Sequence, residues 1–213
     1  MNGLRHSIRL KTYDYTQSGM YYVTICVKNH SCLFGKIVDK KMILNNVGKM
    51  IEKWYFELMN KFPDICCGEY IIMPNHFHAI IVNIAVGADL CVRPNVGIVN
   101  NFMNAQMQNI ANQQKHLSIN NFCNNKSKQT PSILQRKGEH TGSPLHNVIQ
   151  WFKTMTTNEY IRGIKQNNWL PFTGKLWQRN YYEHIIRNDK ELNHITEYIK
   201  NNPHTSFRNH HEH

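Results

Sequence analysis

The sequence lacks the features that would place it in a membrane, in an oxidising compartment or in a secretory pathway. No apolar run approaches the roughly 18 residues that a membrane-spanning helix needs. The six cysteines form no C-x-x-C pair and no disulfide-like spacing, and Cys66 and Cys67 are adjacent, which is typical of reduced thiols. Residues 1–11 are basic and polar, without the apolar core of a signal peptide. These absences predict a cytoplasmic protein.

Acidic residues are also scarce. The 213 residues include 14 Asp and Glu against 25 Lys and Arg, so the formal net charge is +11 with neutral histidines. Such an excess favours a polyanionic partner, of which nucleic acid is the commonest, although charge alone leaves a merely basic protein open. A hydrophobic content of 41% with 11% aromatics is enough to form the core of one domain.

Residue patterns predict strands that alternate with helices. β-Branched and aromatic runs predict strands at 20–27, 66–73, 76–82 and 176–186, and a hairpin is expected around 38–41. Amphipathic spacing predicts helices at 45–60 and from Pro144 to about Gly163, and a last helix that starts at a capping box and ends at Pro203. This order predicts an α+β fold, a ferredoxin-like or RRM-like sandwich with a central antiparallel sheet and helices on one or both faces.

One segment breaks the pattern. Of the 35 residues at 95–129, 15 are Asn or Gln, and apolar residues appear singly. We therefore expect one domain over 1–213, interrupted by a flexible, Asn/Gln-rich insertion at about 84–137.

The strand at 76–82 contains the most informative pattern. Successive side chains of a strand point to opposite faces, so His76 and His78 share one face while Phe77 points into the core. Two neighbouring imidazoles can bind a divalent metal and leave positions open for a phosphodiester oxygen. The alternative is a pair of half-buried structural histidines.

The last helix carries a second group of polar residues. His194, Tyr198 and Asn202 are four residues apart and share one face, beside an apolar stripe that would dock the helix on the sheet. If that polar face meets the two histidines, Tyr198 could attack a metal-bound phosphate and the Asn202 amide could supply a third ligand. By spacing alone, Tyr198 could equally be a packing residue.

Several motifs occur in an order that resembles the single-tyrosine transposases of the HUH endonuclease superfamily, most closely the REP-associated tyrosine transposases. The resemblance covers nearly the whole chain outside the Asn-rich segment. Its motifs are Ser7-Ile8-Arg9-Leu10-Lys11, Tyr13-Asp14-Tyr15, Tyr22-Val23-Thr24-Ile25, Cys32-Leu33-Phe34-Gly35, Met73-Pro74-Asn75-His76-Phe77-His78, Trp151-Phe152-Lys153, Leu176-Trp177-Gln178-Arg179-Asn180-Tyr181-Tyr182-Glu183-His184 and Glu197-Tyr198-Ile199-Lys200-Asn201-Asn202-Pro203.

The resemblance implies roles for particular residues. His76, His78 and Asn202 would bind Mg²⁺ or Mn²⁺, and Tyr198 would cut single-stranded DNA through a 5′-phosphotyrosine and later allow rejoining. Related transposases carry Gln where this chain has Asn202. The implied partner is single-stranded DNA with hairpins or palindromic repeats, in a bacterial cytoplasm near the nucleoid. Both a monomer and a homodimer stay open.

Other residues are candidates of lower rank. Tyr181 and Tyr182 are rival nucleophiles, and His184 and His194 are expected to be structural. A DNA-binding protein that no longer cuts, and a phosphodiesterase that uses water, are the alternative functions. The residues predicted to contact DNA are Arg5, Arg9, Lys11, Lys153, Arg179, Tyr181 and Arg187.

Overall fold

A computed structural model of the chain describes residues 18–84 and 143–208, the last five without their side chains. Its helices and strands follow one another in the predicted order. They are β1 (Gly19–Cys26), β2 (Gly35–Val38), β3 (Lys41–Leu44), α1 (Asn46–Lys61), β4 (Ile65–Ile72), β5 (His76–Asn83), α2 (Leu145–Asn167), β6 (Tyr182–Ile186) and α3 (Asp189–Arg208).

Four strands form an antiparallel sheet in the order β4-β5-β1-β6. β2 and β3 form a separate hairpin, whose turn places Asp39 and Lys40 in the left-handed region. The strand order and the intervening helices confirm the predicted α+β class with a central antiparallel sheet. The same arrangement brings β1 and β5, which carry the motifs, to the middle of the sheet.

The two faces of the sheet carry different layers. Tyr21, Val23 and Phe77 belong to the larger core, which α1 and α2 cover. Tyr22 and Ile80 belong to a smaller core on the opposite face, against α3. Helices therefore lie on both faces. The predicted apolar stripe of the last helix, Leu192, Ile195 and Ile199, is buried in this smaller core.

Helix α2 does not end near Gly163 as predicted but continues to Asn167, and Asn168 caps it in the left-handed conformation. Gly163 lies within the helix, and the indole of Trp169 packs directly against it. A Cβ at Gly163 would lie 2.2 Å from Cε3 of Trp169. This glycine thus serves close packing and not helix termination.

The predicted strand at 176–186 is shorter than expected, since only Tyr182–Ile186 forms β6. The residues before it are fixed by other bonds. Trp177 makes an isolated bridge with Val27, and its indole N–H donates to the Thr156 hydroxyl over 2.9 Å. The aromatic residues before β6 that matched a strand pattern therefore lie in a loop, which Trp177 bonds to α2.

Helix α3 begins as predicted, because the Asn188 side chain accepts the Glu191 N–H over 2.9 Å. It does not end at Pro203, which lies inside the helix. Proline lacks one backbone donor, but its fixed φ is compatible with a helical turn, so one lost hydrogen bond did not stop the helix. No helix in the described part of the chain is long and apolar enough to cross a membrane.

The predicted insertion at 84–137 lies outside the described residues apart from Ile84. The flanking residues are held together. The Asn83 side chain donates to the Ser143 carbonyl over 3.0 Å, and the Ser143 hydroxyl donates to Asp64 over 2.8 Å. The Ile84 N–H donates to the Asp64 carbonyl over 2.7 Å. The chain thus leaves the end of β5 and returns at the same place.

Candidate active site

The two strand histidines lie together on the face of β5 that is turned towards α3. Their ring centroids are 4.6 Å apart, with the planes at 77°. Phe77, between them, is buried in the larger core on the opposite face. The alternation of strand side chains thus brings both imidazoles to one place.

His78 is held in position by β1. Thr24 lies directly opposite it in the ladder, and the Thr24 hydroxyl oxygen is 2.8 Å from His78 Nδ1. The Tyr22 hydroxyl oxygen is 2.7 Å from the same nitrogen, and the Tyr22 ring stacks on the imidazole with centroids 5.6 Å apart. His78 Nε2 is buried and has no hydrogen-bond partner among the described residues. With the ring proton on Nδ1, both hydroxyl oxygens can accept it and Nε2 presents a lone pair.

His76 has a comparable arrangement. Its Nδ1 lies 2.6 Å from the side-chain oxygen of Asn75. Because that oxygen only accepts, Nδ1 carries the proton and Nε2 holds the lone pair. Burial, and then the neighbouring His30, lowers the pKa of His76 to about 4, and burial, and then His76, lowers the pKa of His78 to about 3. Both rings are therefore neutral at pH 7, the state in which imidazole binds a metal.

Tyr198 lies beside this pair. Its ring centroid is 5.5 Å from that of His78, at an interplanar angle of 75°, and 6.2 Å from that of Tyr22. Although α3 is docked by its apolar stripe, the Tyr198 side chain stays 44% exposed. The structure thus brings the predicted nucleophile and a predicted ligand into contact at an accessible surface.

Asn202 follows Tyr198 by one turn of α3 and is buried. Within residues 18–84 and 143–208, no group of three or more His, Cys, Asp or Glu side chains could hold a metal. A third ligand from the described residues would therefore be of another type, as the Asn202 amide is.

A cavity of about 480 Å³ opens in front of His78 and Tyr198. It is lined by Tyr22, Thr24, His78, Tyr182, His184, Glu191, His194, Ile195 and Tyr198. Sequence reasoning did not assign Tyr22, Thr24 or Glu191 to a site.

Glu191 fixes one of the histidines of this cavity. Its carboxylate lies 2.5 Å from His184 Nε2 and accepts the Arg187 N–H over 2.8 Å. These hydrogen bonds, the backbone bond from Arg187 first, lower the pKa of Glu191. Because a carboxylate oxygen only accepts, Nε2 is the nitrogen of His184 that carries a proton in this bond.

The two rival tyrosines lie in different places. Tyr182 is 51% exposed and lines the cavity of Tyr198, with its ring centroid 6.2 Å from that of Tyr22. Tyr181 lines a separate cavity beside α2. Of the two, only Tyr182 shares the surroundings of Tyr198.

The predicted DNA contacts are also dispersed. Arg5, Arg9 and Lys11 lie outside the described residues. Arg187 is exposed between β6 and α3. The three others, Lys153, Arg179 and Tyr181, line the cavity beside α2.

Comparison with known proteins gives a relative in sequence. An uncharacterized protein of Haemophilus influenzae is 33% identical over 199 residues, which cover 93% of this chain and 88% of that protein. The chain belongs to the same family as this protein. No family model matches the chain.

Two solved structures are similar at lower identity. A REP-associated tyrosine transposase bound to a REP hairpin gives a TM-score of 0.44 with 15% identity, covering 93% of this chain and 74% of that one. A Deinococcus radiodurans R1 protein provisionally named a transposase gives a TM-score of 0.40 with 11% identity, covering 91% and 95%.

Proposed function

We propose that this protein is a metal-dependent enzyme that nicks and rejoins hairpin-containing single-stranded DNA, with Tyr198 as the nucleophile. One observation carries the proposal: an accessible tyrosine ring lies against His78, whose Nδ1 is held by two hydroxyls and whose buried Nε2 has no partner among the described residues. A packing tyrosine beside a structural histidine requires neither the exposure nor the unpartnered nitrogen.

The side chains present fit a divalent metal. Both histidines are neutral at pH 7, and with the ring proton on Nδ1 each presents Nε2 as the acceptor. Outer hydrogen bonds of this kind, in which the histidines donate to Tyr22, Thr24 and Asn75, are what orient histidine ligands. We assign His76, His78 and the Asn202 amide as the residues that would hold Mg²⁺ or Mn²⁺. The bound ion would polarise the phosphodiester.

The chain's own part in the reaction is to supply and position the phenol. The Tyr198 oxygen attacks the scissile phosphorus, a bond forms between them, and the bond from phosphorus to the 3′ oxygen breaks. The leaving 3′ oxygen takes up a proton, so the products are a 5′-phosphotyrosine and a free 3′-hydroxyl. Attack by a 3′-hydroxyl reverses these steps and rejoins the strand, so no external energy source is needed.

The phenol proton needs an acceptor, because a free tyrosine has a pKa near 10. His184 and His194 both line the cavity of Tyr198. We assign His184 as the acceptor, since Glu191 at 2.5 Å orients its ring and stabilises the imidazolium that would form. Tyr22 is unsuited to this role, because burial raises its pKa well above 10 and keeps it protonated.

The test is to trap the covalent intermediate. The unaltered protein, Tyr198→Phe and Tyr182→Phe are each incubated with hairpin-containing single-stranded DNA and Mg²⁺ or Mn²⁺, and protein bands are followed on a denaturing gel. Tyr182→Phe is the matched control, because it removes the hydroxyl of another exposed tyrosine in the same cavity. We expect a metal-dependent, DNA-shifted band that Tyr198→Phe abolishes and Tyr182→Phe retains.

Other outcomes identify the alternatives. Loss of the band in Tyr182→Phe alone would make Tyr182 the nucleophile. Tight binding without any adduct would indicate a DNA-binding protein that does not cut. Cleavage without an adduct would indicate a phosphodiesterase that uses water.

A further inference from the structure

The turn Lys28–His30, directly after β1, contains two successive residues in the left-handed region. Asn29 has a φ of 59° and His30 has a φ of 54°, although neither is glycine. Residues held in such sparsely populated conformations are concentrated at functional sites. Both side chains are exposed, so the burial of an apolar group does not account for this backbone. The conformation therefore points to a role other than packing.

The turn is held beside the proposed metal ligands. The His30 carbonyl accepts a hydrogen bond from the Asn75 side chain over 3.3 Å, and the same side chain bonds to His76 Nδ1 over 2.6 Å. The Val27 N–H donates to the Asn75 carbonyl over 2.9 Å, and the His30 N–H donates to the Val27 carbonyl over 3.1 Å. One residue, Asn75, thus bonds to both histidines. After burial, His30 is also a cause of the lowered pKa of His76, which agrees with this proximity.

The ring of His30 is oriented by the loop before β6. The side-chain nitrogen of Gln178 lies 3.2 Å from His30 Nε2 and 3.5 Å from the Val27 carbonyl. Because an amide nitrogen only donates, His30 Nε2 accepts, and the proton of the neutral ring is on Nδ1. This N–H has no acceptor among residues 18–84 and 143–208. It is therefore an exposed donor that a bound ligand can use.

His30 and Tyr198 lie at opposite ends of the histidine pair. Tyr198 contacts Tyr22 and His78, and its cavity is lined by His78 but not by His76. His76 pairs with β1 two residues closer to the turn than His78 does, and His30 follows the end of the strand. In an in-line displacement the attacking and leaving oxygens lie on opposite sides of phosphorus. A phosphate at the histidine pair that is attacked by Tyr198 therefore has its leaving oxygen on the side of His30.

We propose that His30 is a further catalytic residue, whose Nδ1–H donates a hydrogen bond to the 3′ oxygen that leaves phosphorus. This inference rests on the proposed nicking function and adds the group that acts on the leaving oxygen. The hydrogen bond stabilises the negative charge that develops on the 3′ oxygen, as its bond to phosphorus breaks and the Tyr198 oxygen bonds to phosphorus. The 3′ oxygen then takes a proton from water, His30 keeps its own, and His184 returns the phenol proton to solvent.

The test compares two leaving groups. The cut position is first mapped with the unaltered protein and Mn²⁺ on a hairpin-containing single strand, the oxygen strand. A second strand, the sulfur strand, carries sulfur in place of the 3′ bridging oxygen at that position. The variant is His30→Ala. Its matched control is Asn29→Ala, which places an alanine at the neighbouring left-handed position and keeps the ring of His30. The rate of adduct formation is measured on denaturing gels.

We expect His30→Ala to slow adduct formation on the oxygen strand by about 100-fold, as for the loss of one oxyanion donor, and Asn29→Ala to slow it by less than about threefold. On the sulfur strand, His30→Ala should match the unaltered protein within about threefold, because a thiol, with a pKa near 8.5, leaves as a stable anion without a donor. The Mn²⁺ affinity, measured by calorimetry, should be the same in both variants and the unaltered protein, since neither variant removes a proposed ligand.

The inference is overturned if His30→Ala is slowed equally on both strands, or if Asn29→Ala loses as much activity as His30→Ala does. A lower Mn²⁺ affinity in His30→Ala alone would also overturn it, because His30 would then act by positioning His76 through Asn75.

The proposed function fails in a different way. Absence of a Tyr198 adduct in the unaltered protein would refute the nicking activity, and the role of His30 with it. A Tyr198 adduct that forms at the same rate in His30→Ala and the unaltered protein would refute the role of His30 alone.

Discussion

The two faces of β1 and β5 are made by the same strands and serve opposite purposes. On the face covered by α1 and α2, Tyr21, Val23 and Phe77 are packed among the buried apolar side chains of the larger core. On the other face, Tyr22, Thr24 and His78 bond to one another, and Tyr198 remains exposed. One layer of this sheet thus stabilises the fold, while the other gives up some packing to present polar groups.

The largest expected effect is on the polar face. His78→Ala removes a proposed ligand, so adduct formation should fall by more than about 100-fold, beyond the loss usual for an outer-shell residue. The measurement is the rate of DNA-shifted band formation at saturating Mn²⁺. An unchanged rate would show that His78 is a structural histidine.

Substitution of the adjacent residue, Phe77, should lower the stability of the fold and not the activity. Phe77→Ala empties a fully buried site of the larger core, and the free energy of unfolding should fall by about 3–5 kcal/mol. Denaturant unfolding followed by circular dichroism measures this loss. Below its unfolding transition the variant should still form the adduct, and a selective loss of chemistry would show that the two faces are not independent.

A smaller effect is expected when one hydrogen-bond partner of His78 is removed. Thr24→Val keeps the volume but removes one of the two hydroxyls at Nδ1, so Mn²⁺ affinity should fall by about 10- to 100-fold. Calorimetric titration measures the affinity. Thr154→Val, on the surface of α2, is the control, and equal affinities in the two variants would contradict the role of Thr24.

Low pH should lower the stability of the metal-free protein through the histidines of the polar face. The pKa values of His76 and His78 lie at about 4 and about 3 in the folded chain, below their usual 6.5. Between pH 6.5 and 4 the unfolded chain therefore binds more protons than the folded chain, so stability falls as the pH drops through this window. The unfolding midpoint in EDTA should be lower at pH 5 than at pH 7.

The control for this pH dependence is another histidine. His78→Gln should reduce the difference between pH 5 and pH 7, whereas His146→Gln, at an exposed position of α2, should not. An equal difference in all three proteins would assign the acid sensitivity to other groups.

The smallest effect is expected from the Asn-rich segment. Deleting 95–129 should leave folding intact and change the free energy of unfolding by less than about 1 kcal/mol, because the entropy of loop closure depends only weakly on length. A collapse of the thermal transition would show that this segment belongs to the core.

Much of this fold was predictable, because strand alternation and helical spacing are local. Phe77, the α3 stripe and the Asn188 cap follow from residues a few positions apart. The pairing of Thr24 with His78 is not local, since it depends on the register of two strands 54 residues apart. In the sequence, Tyr22 and Thr24 are ordinary strand residues, and only the register of β1 and β5 places them beside His78.

The loop before β6 was misread for a similar reason. Its aromatic residues fit a strand by composition, but Trp177 and the carbonyls of Gln178 and Arg179 are bound by α2. No short-range pattern predicts that Lys153 on α2 will donate hydrogen bonds to carbonyls 25 and 26 residues later in the chain. The cavity beside α2, which these bonds shape, therefore cannot be predicted from the sequence, although Lys153, Arg179 and Tyr181 are each predicted DNA contacts.

The bonds of Ser143 to Asp64 and Asn83 have a consequence for how this protein can vary. Ser143, Asp64 and Asn83 form a clasp at which the chain departs from the sheet and returns, so the two ends of any intervening segment are held together. This clasp is a suitable site for inserting another domain. A foreign domain with neighbouring termini, inserted in place of the intervening residues, should leave the histidines and Tyr198 in place, and it would add a second binding specificity to the proposed nicking activity.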